Sequence, residues 1–203
     1  LEPRATWPKV SLLVAARNES SNIGRCLESL LRQDYEPLEI IAINDRSEDD
    51  TGEIIDRLAA ASAGRLLALH AADVPEGWLG KPNAMRLGVE HATGELLCFT
   101  DADCSFVCPL TVRIAVAYAL ENQVDLLSVL PRLETSSFWE SVLQPVCSAV
   151  LMVWFKPDRV NDPTSDVAYA NGAFLLFRRA VYEAIGGHAA AKGKVNEDME
   201  FAR

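Results

Sequence analysis

Asp101 and Asp103 stand one residue apart at the end of the apolar run 96–100 (LLCFT). A run of that kind reads as a buried strand, and alternation along extended backbone turns both carboxylates to one side. Two hard oxygen donors so placed suit magnesium or manganese. Such an ion can bridge a diphosphate and neutralise it as it departs. A second acidic group, Asn196-Glu197-Asp198-Met199-Glu200, opens a helix, where the helix dipole favours carboxylates. A third, Gly80-Lys81-Pro82-Asn83-Ala84, sets a lysine and an asparagine ahead of a helix. A helix N-terminus favours anions, and the lysine can reach a phosphate. Asp45 follows the run 38–43 (LEIIAI), where it can accept a hydrogen bond from a base N–H. Each group taken alone is common on solvated surfaces; strand-end aspartates, for example, are ordinary turn residues.

The elements that must position these groups alternate. Residues 10–15 (VSLLVA) read as a strand, followed by Arg17-Asn18-Glu19 and by Ser20, Ser21 and Asn22, which can cap a helix. Ile23, Leu27, Leu30 and Leu31 then recur at helical spacing. The second strand, 38–43, ends in Asn44-Asp45-Arg46-Ser47, and Thr51 caps a helix burying Ile54, Ile55 and Leu58. Residues 66–69 form a third strand. Strand–helix–strand–helix–strand predicts a parallel sheet with helices on both faces, and ligands on such sheets bind beyond the carboxyl ends of the strands. Further along, the patterns predict a helix over 84–92 closed by Gly94, a strand over 96–100, a helix over 109–122, and a strand over 126–129. An apolar helix over 141–155 follows, then a strand-rich stretch over 168–177 around a tight turn at Asn171-Gly172. A helix over 179–185 ends at Gly186-Gly187, and another starts at Asn196. No Gly-x-Gly-x-x-Gly follows the first strand, which counts against a dinucleotide-binding domain. No internal repeat or linker divides the chain, so residues 1–203 read as a single domain.

The bulk composition narrows the partners. The chain has 203 residues, 49% of them apolar, which is enough for a substantial core. Its formal net charge of −10 argues against nucleic acid as a partner. An acidic protein that handles an anionic nucleotide needs a cation or local donors. Five cysteines, an odd number with no secretory signal ahead of them, fit a reducing cytoplasmic setting. Cys104 and Cys108 lack the second Cys/His pair that a structural zinc site requires. The histidines His70, His91 and His188 are scattered and receive no ligand role; His188 stands ten residues before Asp198, where it can border the same site. No stretch reaches the roughly 18–20 apolar residues of a membrane span, since the longest run, 142–155, is broken by Gln144 and Pro145. The chain begins at Leu1 and ends at Arg203 within a helix-like run, and is expected to be part of a longer one.

Taken in order, these motifs resemble glycosyltransferase family 2. The resemblance runs from about Pro8 to Arg203. The opening PKVSLLVAARNE (8–19) resembles the family's first strand and base-contacting loop. Asn44-Asp45-Arg46-Ser47 with Asp50-Thr51 resembles its second-strand loop, with Asn44 where an acid is usual. Residues 80–84 resemble its lysine loop, Asp101-Ala102-Asp103 its Asp-x-Asp, and Glu197-Asp198 its late acidic pair. The resemblance implies the GT-A fold, a nucleotide-binding three-layer α/β/α sandwich around a mostly parallel mixed sheet. It implies that Ala15, Arg17, Glu19 and Asp45 line the nucleotide pocket, uridine being the commonest base. Lys81, with Asn83 beside it, would contact the diphosphate or donor sugar, and Asp101 the ribose or sugar. Asp101 and Asp103 would hold a divalent metal, Mn2+ or Mg2+. Asp198 would be the general base for an acceptor hydroxyl, with Glu197 beside it, in a displacement that inverts the anomeric carbon. The Gln-x-x-Arg-Trp motif that many members carry after the acidic pair does not occur in this sequence.

The loop Pro75-Glu76-Gly77-Trp78-Leu79-Gly80-Lys81 resembles that of members that glycosylate lipids, of the hopanoid, carotenoid and ceramide type. The implied acceptor is a lipid hydroxyl, and the implied setting is the cytoplasmic face of a membrane, with a longer membrane-associated chain around this domain. The apolar segment 138–155 fits either a core helix or one lying at a membrane interface, with Trp139, Trp154, Phe155 and Lys156 as core and rim or as anchors. Two rival readings make different demands on the sequence. A sugar-phosphate nucleotidyltransferase would need a glycine-rich basic loop after the first strand, where this chain has Ala15-Ala16-Arg17-Asn18-Glu19. A non-catalytic nucleotide-sugar-binding domain has no use for both Asp103 and Asp198.

Overall fold

Continuous apolar runs become the centre of the sheet because both their faces are covered. The structure, a computed structural model, describes residues 6–135, 137–156, 159–162, 164–194 and 196–202. Its strands are β1 (Val10–Ala16), β2 (Leu38–Asn44), β3 (Leu66–His70), β4 (Leu96–Asp101), β5 (Leu126–Ser128) and β6 (Leu175–Arg178). They form one sheet in the order β3-β2-β1-β4-β6-β5. The first four are parallel, and β6 runs antiparallel to both β4 and β5.

Helices α1 (Ile23–Leu31), α2 (Thr51–Ala61) and α4 (Thr111–Glu121) cover one face. Ile23, Leu27, Leu30, Ile55, Val112 and Val116 meet Leu12, Val14 and Ile40 there. On the other face α3 (Gly80–His91), α6 (Arg179–Ala184), α7 (Gly187–Ala190) and α8 (Glu197–Phe201) pack Met85, Tyr182 and Phe201 against Leu13, Ile41, Leu97 and Phe99. The expected α/β/α sandwich around a mostly parallel mixed sheet is therefore observed.

Some boundaries moved, each for a local reason. Helix α3 begins at Gly80, not Ala84. Pro82 is tolerated because it stands in the first turn, where its missing N–H has no helical partner. Gly94 does not close this helix, which ends at His91 with Ala92 already extended. It is needed for close approach instead: a Cβ there would stand 2.5 Å from the backbone nitrogen of Ser11. The stretch 168–177 yields a strand only from Leu175. Ahead of it, the backbone of Asn171 donates to the Ser128 hydroxyl (2.8 Å) and its side chain accepts from Ala173 N (2.9 Å), so local bonds replace a ladder.

Helix α5 (Phe138–Phe155) contradicts the core reading. It starts earlier than predicted, because Ser137 and Glu140 form a reciprocal capping box. None of its residues is buried. With Phe138 included it is also 18 residues long and apolar enough to cross a membrane by length and composition, which corrects the expectation that no segment reaches that size.

Candidate functional site

The sheet's connectivity selects the site. From β1 the chain winds outward to β2 and β3, then crosses back to place β4 on the other side of β1. The crevice at such a reversal lies beyond the carboxyl ends of β1 and β4. Ala15 pairs with Asp101 and Ala16 with Asn44, so the three strand ends are level. The loops that leave them are braced together. Asn18 N donates to the Ser47 hydroxyl (3.0 Å), Glu48 N to the Asn18 side-chain Oδ1 (2.8 Å), and Glu19 N to the Thr51 hydroxyl (2.8 Å).

A cavity of about 280 Å³ opens at this point, lined by Ala15, Ala16, Arg17, Glu19, Asp45, Lys81, Asp101, Ala102 and Asp103. Seven of these nine were expected site residues; Ala16 and Ala102 were not, and small side chains at a cavity floor leave no sequence signal of their own. Asp45 is buried, with Arg46 Nε donating to it at 3.0 Å. Its other oxygen lies against the first turn of α3, where a Cβ on Gly80 would come within 2.3 Å. Gly80→Ala is therefore expected to destabilise the fold by about 1–3 kcal/mol through overpacking, lowering Tm by several degrees; thermal unfolding checks it, and an unchanged Tm would mean that Asp45 is free to swing aside.

Asn83, by contrast, does not line the cavity. It is buried, its amide donating to the Asp73 carbonyl at 3.1 Å and accepting from Arg86 at 3.1 Å. In this structure it braces the loop ahead of α3. Trp78 of that loop lies under the Arg86 guanidinium, 5.3 Å from the ring centroid.

Lys81 bridges Asp101 Oδ1 (2.8 Å) and Glu197 Oε1 (2.7 Å), joining residues nearly a hundred positions apart in sequence. Burial alone would push its ammonium down, but the two carboxylates outweigh it and hold the pKa above the usual range. Asp198 stands beside them at the start of α8. Gly172 N donates to its Oδ2 (3.0 Å) and Met199 N to its Oδ1 (2.8 Å). A Cβ on Gly172 would lie 3.5 Å from Asp101 Oδ2, 3.5 Å from Lys81 Nζ and 3.7 Å from Asp198 Oδ2. The Asn171-Gly172 turn thus sits where these three side chains converge.

Asp101 and Asp103 are brought together by a turn, not by an extended strand: β4 ends at Asp101, and Cys104 N donates back to the Asp101 carbonyl (3.2 Å). Donor atoms of Asp101, Asp103 and Cys104 lie within 4.8 Å of one another. Burial, with the charges of Asp103 and Asp101 adding, pushes the Cys104 thiol up to about 11; as a soft donor it is not the ligand type that magnesium or manganese selects. The remaining donors are hard carboxylates, which fit Mg2+ or Mn2+ and not zinc. Cys108 is exposed and outside this cluster. His188 does not border the cavity as a titrating group. It is buried against Phe99 and Phe201, bonded to the Tyr182 hydroxyl (2.6 Å), and held down to about 3 by burial, with Lys81 adding.

Comparison with known proteins bears on this geometry. The profile described as "Glycosyl transferase family 2" matches residues 11–186. The 4,4'-diaponeurosporenoate glycosyltransferase of Staphylococcus aureus is 30% identical over 93% of this chain, which spans 48% of that relative. The chain therefore covers about half the length of the named relatives it matches. Among solved structures, the mannosyltransferase PcManGT from Pyrobaculum calidifontis, in complex with GDP-Man and Mn2+, superposes with a TM-score of 0.65 at 24% identity, covering 92% of this chain and 50% of the other. S. aureus TarS 1-349 in complex with UDP-GlcNAc gives 0.62 at 20% identity, covering 96% and 52%. The glucosyl-3-phosphoglycerate synthase of Mycobacterium tuberculosis, with Mn2+, UDP and glucosyl-3-phosphoglycerate, gives 0.55 at 21%, covering 86% and 58%.

Proposed function

The chain belongs to glycosyl transferase family 2, with the GT-A fold, and from that premise we propose that it transfers a sugar from a nucleoside-diphosphate donor to an acceptor hydroxyl with inversion. The observation that carries this reading is the convergence of Asp101, Lys81, Glu197 and Asp198 around Gly172 at the sheet's switch point. One side of that cluster is the cavity for the donor. The other side presents a carboxylate whose neighbours fix its orientation.

The donor is assigned to the cavity at the ends of β1, β2 and β4. Asp45 accepts from the base, with Ala15, Arg17 and Glu19 alongside. A uridine diphosphate donor is proposed, the ligand named with TarS and with the synthase. The lining residues carry four carboxylates against two cations, Arg17 and Lys81. A diphosphate entering such a site is repelled unless a cation comes with it. Asp101 and Asp103 would hold Mn2+ or Mg2+, which would supply a Lewis acid for the leaving diphosphate. Lys81 is the one lysine in the lining and is already charged, so it can pass from Asp101 to a phosphate oxygen without gaining a proton.

Asp198 is proposed as the base that takes the acceptor's proton. Two backbone N–H groups hold its oxygens, which fixes its aim, and Glu197 keeps Lys81 beside it. A single base on the acceptor side suits a direct displacement. The acceptor is proposed to be lipid-borne, as for the carotenoid-type relative's named substrate, with the domain at the cytoplasmic face of a membrane. The test is transfer from UDP-hexose to a bacterial lipid extract, with the product's anomeric proton coupling read by NMR. A glycolipid of inverted configuration is expected. A retained configuration would refute the single displacement, and transfer only to water-soluble acceptors would refute the lipid assignment.

A further inference from the structure

Helix α5 is amphipathic with its polarity reversed relative to the body it leans on. At 3.6 residues per turn, Glu140, Ser141, Gln144 and Ser148 fall on one side. Phe138, Trp139, Val142, Leu143, Val146, Ala149, Val150, Val153 and Trp154 share an arc of roughly 160°, while Leu151 and Phe155 fall between the polar residues. In a helix that serves a protein core the apolar arc is the covered one. Here the half-covered positions are Gln144, Ser148 and Phe155, the last of these meeting Tyr169 in a tilted ring contact at 5.2 Å. The apolar arc faces out: Trp139 is 68% exposed, Val153 77% and Trp154 77%. The connection leading into the helix adds exposed Leu130 and Leu133.

We propose that this outward arc is a membrane-docking surface, with α5 lying in the plane of a bilayer interface. The inference rests on the lipid-acceptor reading for its purpose, but not for its test. Three features favour lipid over a protein partner. The arc is broader than the stripe of about 100° that helix packing needs. The helix carries one charged residue, Glu140, and that is spent in its own cap, so the arc lacks the polar rim of a protein interface. Trp139 and Trp154 both lie on the exposed arc, and tryptophan is favoured at headgroup level. Lys156 and Arg159 follow the last turn, where cations meet headgroups. A plane-lying orientation is favoured over a span because Gln144, Ser148 and Phe155 are half-covered along the opposite side, and because Pro145 stands inside the helix without an N–H to donate. Since the arc itself holds no basic residue, attachment is hydrophobic and needs no anionic lipid.

The experiment is co-sedimentation of the purified chain with phosphatidylcholine vesicles, read alongside tryptophan emission. Wild type is expected to partition onto zwitterionic vesicles with a blue shift and with little change between low and high salt. Leu143→Glu with Val150→Glu, both on the exposed arc, is expected to lower partition at least tenfold while circular dichroism and UDP binding stay as in wild type. Asp103→Ala is expected to bind vesicles like wild type, so loss of the donor site and loss of the surface are read separately. The proposal is overturned if wild type does not partition, if the double variant partitions equally, or if sedimentation velocity shows a dimer that the double variant dissociates in place of vesicle binding.

Discussion

Asp198→Asn is expected to lower kcat on the order of 10²–10⁴-fold, the usual contribution of a positioned general base, while leaving donor affinity within about twofold. Asp198 is not among the residues lining the cavity, which come from the ends of β1 and β4, the loops after β1, β2 and β4, and the start of α3. The donor therefore binds largely independently of it. The asparagine has nearly the same shape, but only one of its two terminal atoms accepts. Gly172 N and Met199 N each donate to a separate oxygen of Asp198, so one N–H loses its partner. That costs about 1 kcal/mol, visible as a small fall in Tm and distinct from the catalytic loss. Steady-state kinetics with a saturating acceptor, beside a donor titration, separates the two. Activity within tenfold of wild type would remove Asp198 from the role of base. A parallel loss of donor affinity would place it in the donor site instead.

The second large effect is on metal. Asp103→Ala is expected to weaken Mn2+ binding on the order of 10²-fold or more; loss of a group merely supporting a ligand already costs 10–100-fold. Asp101 remains, but as a single carboxylate whose charge is shared with Lys81 at 2.8 Å. Asp103 is exposed and, among the described residues, its side chain meets a long contact from Cys104 Sγ at 3.7 Å, so its removal is expected to leave the fold intact. What it removes is the carboxylate free to offset a cation in a cavity whose lining is net negative. Manganese titration followed by electron paramagnetic resonance checks this without reference to turnover. Unchanged affinity would mean that the metal, if bound, sits elsewhere.

The sheet was readable because its central strands are buried on both faces and so appear as unbroken apolar runs, with polar clusters at their carboxyl ends. Six strands and the two-sided helical cover follow from that alternation. The cavity was readable for the same reason: Arg17, Glu19, Asp45, Asp101 and Asp103 are the first polar residues after those runs. Less legible were the glycines. Gly80, Gly94 and Gly172 all lay in recognised motifs or turns, yet their roles depend on which distant atom approaches, which no local pattern carries. Asn83 shows the converse, since a motif position points to a site while the fold turns its side chain to Asp73 and Arg86. His188 likewise gave no hint of the aromatic pocket assembled by Phe99, Tyr182 and Phe201 from three separate elements. Helix α5 was ambiguous for a physical reason: its composition suits either a core or a membrane, and only its placement, with the polar strip inward, distinguishes them.

Calorimetric titration of UDP into the chain, with and without manganese, in wild type and Asp103→Ala, tests the central claim most directly. The account predicts binding that requires manganese in wild type and is lost in the variant. Manganese-independent binding of equal strength in both proteins would contradict it, because the acidic cavity at the ends of β1 and β4 would then not be where metal and diphosphate meet.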